Sequence, residues 1–149
     1  MTGDTPLISA RSLGAVFDVS KPWLNRMLAM ESKRFLTAVD TVDFDIPKGK
    51  TFALVGESGS GKSTIGRMIV GLQKPTSGQV LIDGEDFFAI KDQKRKLAMR
   101  RRIQMIFQSP YASLNPRWRV RHIIGEPIRA FELMPASEVD KRVAELLDQ

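Results

Sequence analysis

The apolar positions of this chain form short runs, most of them spaced as in β-strands. Leu7 to Phe17 predicts one strand or a pair of strands, and Phe35 to Ile46 predicts another with partial alternation. Thr51 to Val55, Gln79 to Asp83 and Ile103 to Phe107 are shorter apolar runs of the kind found in buried strands. The pattern therefore predicts five strand segments.

Apolar residues recur at intervals of three and four in two places, which predicts two helices. The first set is Ile65, Met68, Ile69 and Leu72. The second set is Val139, Val143, Leu146 and Leu147, after a Ser137 and Asp140 pair that resembles a capping box. Between these two helices, residues 118–131 predict a short helix that Pro127 breaks.

Residues 18–34 interrupt the strand pattern. Ser20 and Pro22 are typical of a helix start, and Trp23, Met27 and Met30 would then fall near one face. Such an amphipathic segment could rest on a membrane or a partner protein. The interpretation that we favour is a surface insertion packed on its own domain.

A glycine-rich loop joins the Thr51–Val55 run to the first helix, and it matches the pattern Gly-x-x-x-x-Gly-Lys-Ser/Thr of phosphate-binding loops. A polyphosphate needs many hydrogen-bond donors at close range. Gly56, Gly59 and Gly61 let the backbone take positive φ and bring its N–H groups to the phosphates. The unpaired N–H groups at the start of the following helix would add to this anion site.

The side chains of the loop have separate predicted roles. Lys62 would reach the β- and γ-phosphates, Ser63 would ligate Mg²⁺, and Thr64 would donate to the α-phosphate. The candidate nucleotide-binding residues of this loop are Gly56, Glu57, Ser58, Gly59, Ser60, Gly61, Lys62, Ser63 and Thr64.

Composition narrows the class of protein. The hydrophobic content of 42% is ordinary for a globular domain, and no run approaches the 18 apolar residues of a membrane span. The first residues lack the basic and apolar regions of a signal peptide. The chain has no cysteine, which excludes disulfides and thiolate metal sites and fits a reducing cytoplasm.

The net charge of +6 is partly local, because Lys91 to Arg102 contains seven Lys or Arg and one Asp. A solvated face is the simplest interpretation, and contact with anionic lipid headgroups or a partner protein is the alternative. Only Phe87 and Phe88 lie near this run, and no nucleic-acid motif accompanies it. We therefore expect no nucleic-acid partner.

Several segments together resemble the ATPases of ABC transporters. The loop has the form Gly-x-x-Gly-x-Gly-Lys-Ser-Thr, the turn at 74–78 precedes Gln-Val-Leu-Ile-Asp-Gly at 79–84, and Gln108 directly follows an apolar run. The run from Phe107 to Arg117 resembles, more narrowly, the ATP-binding subunits of oligopeptide, dipeptide and nickel importers. The resemblance extends from about Leu7 to the last residue.

The resemblance implies an α/β fold: a P-loop NTPase (ABC ATPase) core with an N-terminal antiparallel β subdomain. Residues 1–149 would be the N-terminal part of one nucleotide-binding domain, with 18–34 a surface insertion and 108–149 the Q-loop and the start of the helical subdomain. The family's Leu-Ser-Gly-Gly-Gln signature, Walker B Asp-Glu and switch histidine are absent from these residues. We expect the sequence to end before the helical signature subdomain is complete. It would then carry no catalytic residue, and His122 lies too early to be the switch histidine.

The resemblance also implies a function: an ATP-binding subunit of an importer for oligopeptides or dipeptides, coupling ATP binding and hydrolysis to transport. Its cofactors would be ATP and Mg²⁺. Its partners would be a second ATP-binding subunit, in a homo- or heterodimer, and transmembrane permease subunits at the cytoplasmic face of the inner membrane. Gln108 would contact Mg²⁺ or the attacking water. Phe17 would stack on adenine, in place of the commoner Tyr.

Three other interpretations remain open. Another P-loop NTPase is one, although the Asn-Lys-x-Asp element of GTPases is absent. A non-catalytic nucleotide-binding fragment is the second. A basic nucleic-acid binder is the third, and it rests on charge alone. For the 149 residues alone we expect weak Mg-ATP binding without turnover. We also expect self-association, because no Walker B strand would cover the flank of Thr51 to Val55.

Overall fold

The computed structural model describes residues 5–22, 27, 30 and 32–148. The chain divides into two compact units, Met1–Arg100 and Arg101–Gln149. No helix of the described residues is long and apolar enough to cross a membrane.

The first unit is built on a four-stranded antiparallel sheet in the order β2-β1-β3-β4. The strands are β1 (Ile8–Asp18), β2 (Phe35–Ile46), β3 (Ser77–Ile82) and β4 (Glu85–Asp86). The predictions of the first two strands and of the strand near residue 80 are confirmed, and β1 is a single strand rather than a pair. The predicted antiparallel β subdomain is therefore present.

The core of the first unit lies where helix α1 (Lys62–Ile69) packs on β1 and β2. Ile65 and Met68 of α1 are buried, as their helical spacing predicted. The sheet contributes small and branched side chains, which let helix and sheet approach closely. The buried apolar residues of the sheet are Ala10, Leu13, Ala15, Val39, Val80 and Ile82.

The hairpin between β3 and β4 turns at Asp83 and Gly84, as the Asp-Gly dipeptide predicted. Both residues have positive φ, 50° and 80°, which a two-residue type I′ turn requires. Phe87 follows and is buried beside Gly71, with Lys96 Nζ 5.5 Å and the Arg100 guanidinium 5.9 Å from its ring centroid. Within the first unit, this ring thereby contacts helix α2 (Gln93–Arg101) through two cation–π interactions.

The second unit is helical. It contains the short helix α3 (Pro110–Ser113), helix α4 (Val120–Ala130), one 3₁₀ turn (Ala136–Glu138) and helix α5 (Val139–Leu147). Helices α4 and α5 pack together through a small apolar cluster. Its members are Ile124, Ile128, Met134, Val139 and Val143.

Two of the five predicted strand segments are wrong. Thr51–Val55 and Ile103–Phe107 form no ladder with any described strand, and Val55 and Ile106 are each 90% exposed. A strand exists only through hydrogen bonds to neighbours, and the strands that pair here form an antiparallel sheet among themselves. Only Phe52 finds an aromatic partner, stacking on Phe44 at 5.0 Å between centroids.

Three helix predictions need correction. Leu72 lies beyond the end of α1 and is exposed, because α1 stops at Ile69. Pro127 lies inside α4 without ending it, since one proline removes a single backbone hydrogen bond and neighbouring contacts keep the helix. The capping box at Ser137 and Asp140 does not form, because a 3₁₀ turn occupies residues 136–138 and α5 begins at Val139.

The described ends of segment 18–34 continue the hairpin of β1 and β2. The Val19 N–H donates to the Arg34 carbonyl at 3.0 Å, and the Arg34 N–H donates to Ser20 Oγ at 2.8 Å. Most of the predicted amphipathic helix, including Trp23, lies outside the described residues. Met27 and Met30 are described and are exposed.

We predict that the unpaired apolar runs cause the 149-residue chain to self-associate, because they expose both side chains and backbone hydrogen-bonding groups. Val55→Lys and Ile106→Lys, made separately, are each expected to weaken association on the order of ten-fold, the effect of about 1.5 kcal/mol for one aliphatic side chain. Sedimentation velocity over a concentration series measures this. Leu72→Lys is the control, since Leu72 is exposed outside both runs, and a wild-type chain that stays monomeric throughout contradicts the prediction.

Candidate functional site

The predicted phosphate loop forms a turn that leads directly into α1. Gly59 and Gly61 have φ of 84° and 88°, the left-handed region that glycine adopts without strain. Gly56 differs from the prediction, because its φ is not positive. A Cβ at Gly56 would lie 2.8 Å from Ser60 Oγ, so a larger residue there would require the Ser60 hydroxyl to move.

Gly61 fixes the loop against the sheet. A Cβ at Gly61 would collide with the carbonyl oxygen of Ala38 in β2, so the backbones approach more closely than a side chain would allow. The Ile65 N–H donates to the Gly61 carbonyl at 2.9 Å, which begins the helical hydrogen bonds of α1. The N–H groups of Lys62, Ser63 and Thr64 precede that first bond and have no intrahelical acceptor.

The ammonium group of Lys62 forms hydrogen bonds across the loop. Its Nζ donates to the carbonyl oxygens of Gly56 at 2.7 Å and Glu57 at 2.5 Å, and to Ser60 Oγ at 3.2 Å. The Ser60 N–H in turn donates to the Glu57 carbonyl at 3.3 Å. A fixed positive charge thus lies beside the free amides of α1, which is the arrangement that binds phosphate oxygens.

The loop is open to solvent and suits a magnesium–polyphosphate complex. Glu57, Ser58 and Ser63 are exposed, so a ligand reaches the site without rearrangement of the core. The described residues hold no cluster of three acidic or histidine side chains for a cation. Mg²⁺ here would take the hard hydroxyl oxygen of Ser63 together with ligand phosphate oxygens and water.

Phe17 lies near the loop along the sheet. It is partly exposed near the end of β1 and pairs with Leu36 of β2. Gly61 meets β2 at Ala38, two residues from Leu36, a separation of about 7 Å along a strand. Phe35, opposite Asp18, is a second exposed aromatic at this end of the hairpin, and the sequence analysis did not select it.

Gln108 belongs to the second unit, where it is exposed two residues before α3. Its predicted contact with nucleotide or Mg²⁺ stays a prediction. An open groove of about 320 Å³ lies further along the same unit, and sequence reasoning missed it because its residues come from a loop and two helices. Its lining residues are Ser113, Leu114, Asn115, Trp118, Ile123 and Glu126.

Sequence reasoning also missed two atoms that shape the phosphate loop. The hydroxyl of Ser60 accepts from Lys62, and the carbonyl of Ala38 lies against Gly61. The Ser60 contact follows from its place inside the motif. The Ala38 contact carries no sequence signal, because any residue has a carbonyl.

A glycine-bent loop, a lysine bound to its carbonyls and a helix opening on free amides define a P-loop nucleotide-binding protein. The model of the family described as "ABC transporter" matches residues 39–149 of this chain. The chain therefore belongs to the ABC transporter ATPase family.

The curated relatives agree with the family assignment. The chain is 43% identical over 142 residues to the oligopeptide transport ATP-binding protein OppF of Lactococcus lactis, covering 95% of the chain and 43% of that protein. It is 51% identical over 112 residues to OppF of Bacillus subtilis, covering 74% and 37%, and 41% identical to the glutathione import ATP-binding protein GsiA of Escherichia coli, covering 97% and 22%. The chain thus spans less than half the length of these relatives.

Solved structures support the ABC ATPase fold. The ATP-binding cassette MJ0796, in a dimeric post-hydrolysis state bound to ADP and Pi, matches with a TM-score of 0.69 and 25% identity, over 95% of this chain and 56% of that one. The cbiO1 protein of Clostridium perfringens matches with a TM-score of 0.60 over 97% of this chain and 50% of that one. The predicted fold class is confirmed.

Gly61→Ala is predicted to disable the loop. The substitution places a Cβ at φ 88° and against the Ala38 carbonyl, a strain of about 1–3 kcal/mol that moves the loop off β2. Urea unfolding and titration with Mg-ATP measure the loss of stability and a weakening of binding of about ten-fold or more.

Gly66→Ala is the matched control, because a Cβ at Gly66 in α1 has no heavy atom within 4 Å. This variant is expected to gain about 0.5–1 kcal/mol of helix stability and to bind nucleotide as the wild type does. Unchanged ATP affinity in Gly61→Ala would show that the loop does not depend on its contact with β2.

Proposed function

We propose that this chain is the N-terminal part of the ATP-binding subunit of an importer for oligopeptides or dipeptides. In this proposal the subunit binds ATP and couples its binding and hydrolysis to transport through membrane partners at the cytoplasmic face of the inner membrane. The observation that carries the proposal is the loop from Gly56 to Thr64, with Lys62 bonded across it.

The loop supports nucleotide binding through charge and geometry. The Lys62 ammonium lies beside the amides of the first turn of α1, so β- and γ-phosphate oxygens would meet a cation and several N–H donors together. Thr64, half-buried in the same turn, would donate to the α-phosphate. The remaining loop residues, Glu57 and Ser58, would cover the phosphates from the exposed side.

Magnesium would be held by Ser63 and, in the assembled site, by Gln108. When bound, it neutralises part of the phosphate charge. Ser63 belongs to the first turn of α1, where its hydroxyl would lie next to the bound phosphates. Gln108 follows residues 103–107, which pair with no described strand, and this would give its amide the freedom to approach or leave the nucleotide.

Peptide transport is supported by the relatives. Two of those described above are named oligopeptide transport ATP-binding proteins, and a third is named a glutathione import ATP-binding protein. Glutathione is itself a small peptide. The run from Phe107 to Arg117 carries the narrower resemblance to this group of importers.

The proposed partners are a second ATP-binding subunit and transmembrane permease subunits. The related cassette MJ0796 is described as dimeric. For the permease, the groove of the second unit offers apolar walls at Leu114, Trp118 and Ile123, a few residues after Gln108. A permease segment seated there would move with the segment that carries Gln108.

A non-catalytic nucleotide-binding module is the second candidate for the 149 residues by themselves. The signature, Walker B and switch histidine motifs are absent from them. The phosphate cradle is present, whereas a carboxylate that orients water and the facing half-site are not among these residues. We propose that the 149 residues alone bind Mg-ATP weakly and do not turn it over.

Lys62→Ala is predicted to weaken Mg-ATP binding by about ten-fold to one hundred-fold, because it removes charge-assisted hydrogen bonds of about 1.5–3 kcal/mol. Isothermal titration calorimetry with and without Mg²⁺ measures this. Lys74→Ala, which removes an exposed lysine outside the loop, is the control and should bind normally. Absence of a binding heat from the folded wild type would overturn the proposed nucleotide binding. Steady phosphate release that Lys62→Ala abolishes would overturn the proposal that the 149 residues alone do not turn over ATP.

Phe17→Ala is predicted to weaken ATP binding on the order of ten-fold, because base stacking on an aromatic ring contributes about 1–3 kcal/mol. Binding of inorganic triphosphate should not change, since it has no base. Phe17→Tyr should restore ATP affinity. If Phe35→Ala reproduces the loss and Phe17→Ala does not, the stacking residue is Phe35.

A further inference from the structure

Two aromatic rings join the run before the phosphate loop to the sheet. Phe52 stacks on Phe44 of β2, with 5.0 Å between the ring centroids and 10° between the ring planes. Phe44 is half-buried and Phe52 is 44% exposed, so the pair lies near the surface of the first unit. The contact attaches residues 51–55, which form no ladder with any described strand, to strand β2.

A tight turn brings the two rings together. Strand β2 ends at Ile46, and the Lys50 N–H donates to the Pro47 carbonyl at 3.3 Å. Gly49 has a φ of 71°, the positive value that the third residue of a type II turn requires. The chain thus reverses direction after β2 and returns past Phe44 towards the phosphate loop.

The phosphate loop is attached to β2 on both sides. Downstream, Gly61 packs on Ala38, and a Cβ at Gly61 would also lie 3.2 Å from Val39 Cγ2. Upstream, the ring pair lies at Phe44, six residues beyond Ala38 and about 20 Å along the strand. The nine residues from Phe52 to Gly61 reach at most about 30 Å when extended. Two contacts with one strand therefore limit the positions open to the loop.

The ring pair also shortens the free segment that carries the loop. Without it, the nearest upstream element would be the end of β2 at Ile46, fifteen residues before Gly61 instead of nine. Closing a flexible segment of the greater length is about two-fold less probable. Losing the ring contact adds to this effect, because a stacked aromatic pair is stabilised beyond its buried area.

We infer that Phe44 and Phe52 are positioning residues for the phosphate loop. In this role they contact the chain before the loop rather than the ligand, and they favour the arrangement in which the Lys62 ammonium meets the phosphates. The inference rests on the proposed function, which assigns this loop to nucleotide phosphates. Because the contact acts on the loop and not on a base, it strengthens the binding of ATP and of inorganic triphosphate alike.

The variant Phe52→Leu tests the inference, because it keeps an apolar side chain and removes the ring. Isothermal titration calorimetry should show the binding of Mg-ATP and of magnesium triphosphate weakened equally, by about two- to ten-fold. Phe52→Tyr keeps the ring and should bind both ligands as the wild type does. Full affinity in Phe52→Leu, or a loss confined to ATP, would contradict the inference.

Phe88→Leu is the matched control. Phe88 forms a second aromatic pair of the first unit, with Phe87 at 5.1 Å between centroids, and lies outside the loop. This variant should lower the stability to urea, as Phe52→Leu does, and leave the affinity for both ligands unchanged. Equal weakening of binding in the two variants would reduce the effect to general stability and overturn the inference.

Phe44→Leu and the double variant with Phe52→Leu test whether the two rings act as a pair. Each single variant should lose a similar amount of affinity, and the double variant should lose no more than either one. Losses that add in the double variant would show two independent effects, which the inference does not allow.

Labelling of lysines with acetic anhydride, read by mass spectrometry, tests the loop without nucleotide. Three hydrogen bonds hold Lys62, and the exposed Lys74 of the same unit gives the reference rate. Phe52→Leu should raise the rate at Lys62 relative to Lys74 by about two- to ten-fold, and Phe88→Leu should leave it unchanged. An unchanged ratio in Phe52→Leu would overturn the inference. A raised ratio in a chain whose wild type binds no nucleotide would refute the proposed function and leave the positioning contact standing.

Discussion

The contact of Gly61 with the backbone of β2 is the constraint on which the candidate site depends. Because no Cβ separates them, the loop lies directly on the carbonyl of Ala38, and α1 begins from that fixed point. The Lys62 ammonium then joins both ends of the loop through the carbonyls of Gly56 and Glu57. Position comes from the sheet and charge comes from the lysine, so under the proposed function the antiparallel sheet would take part in nucleotide binding although it would supply few of the ligands.

The sheet can serve this purpose because β1 is paired on both sides. It pairs with β2 along one edge and with β3 along the other, and its residues Leu13 and Ala15 are buried. The irregular register between β1 and β2 falls near Leu13 and Ala15, close to the level where Gly61 meets β2. A bulged ladder twists and bends locally, which helps a sheet to accept a loop packed on it.

The earlier and later parts of the second unit differ in burial and in ion pairing. Gln108 and the groove lie at or before Glu126, whereas the paired charges and the buried residues Ile128, Val139 and Val143 of α4 and α5 lie after it. The later part therefore supplies most of the local stability, and the earlier part is exposed and polar or aromatic. Such a division is expected where one part of a unit holds the fold and another meets partners.

The sequence by itself determined the phosphate loop and the Asp83-Gly84 turn. Each follows from local chemistry: glycine at positive φ, a lysine within reach of its own loop, and two turn residues that tolerate the left-handed region. The family followed from the same loop together with the run after Gln108. These features need no distant residue to be recognised.

Only the tertiary structure decided which apolar runs are strands. Thr51–Val55 and Ile103–Phe107 have the composition of buried strands, yet a strand needs a neighbour, and apolar spacing cannot say whether one is present. Leu72 is a similar case, because its spacing suited a helix that ends at Ile69. The Ala38 carbonyl is another, because it limits the residue at position 61 only through the packing of Gly61 on β2. Local conformation depends on short stretches of sequence, whereas strand pairing and close backbone contacts depend on which distant residues lie next to each other in the fold.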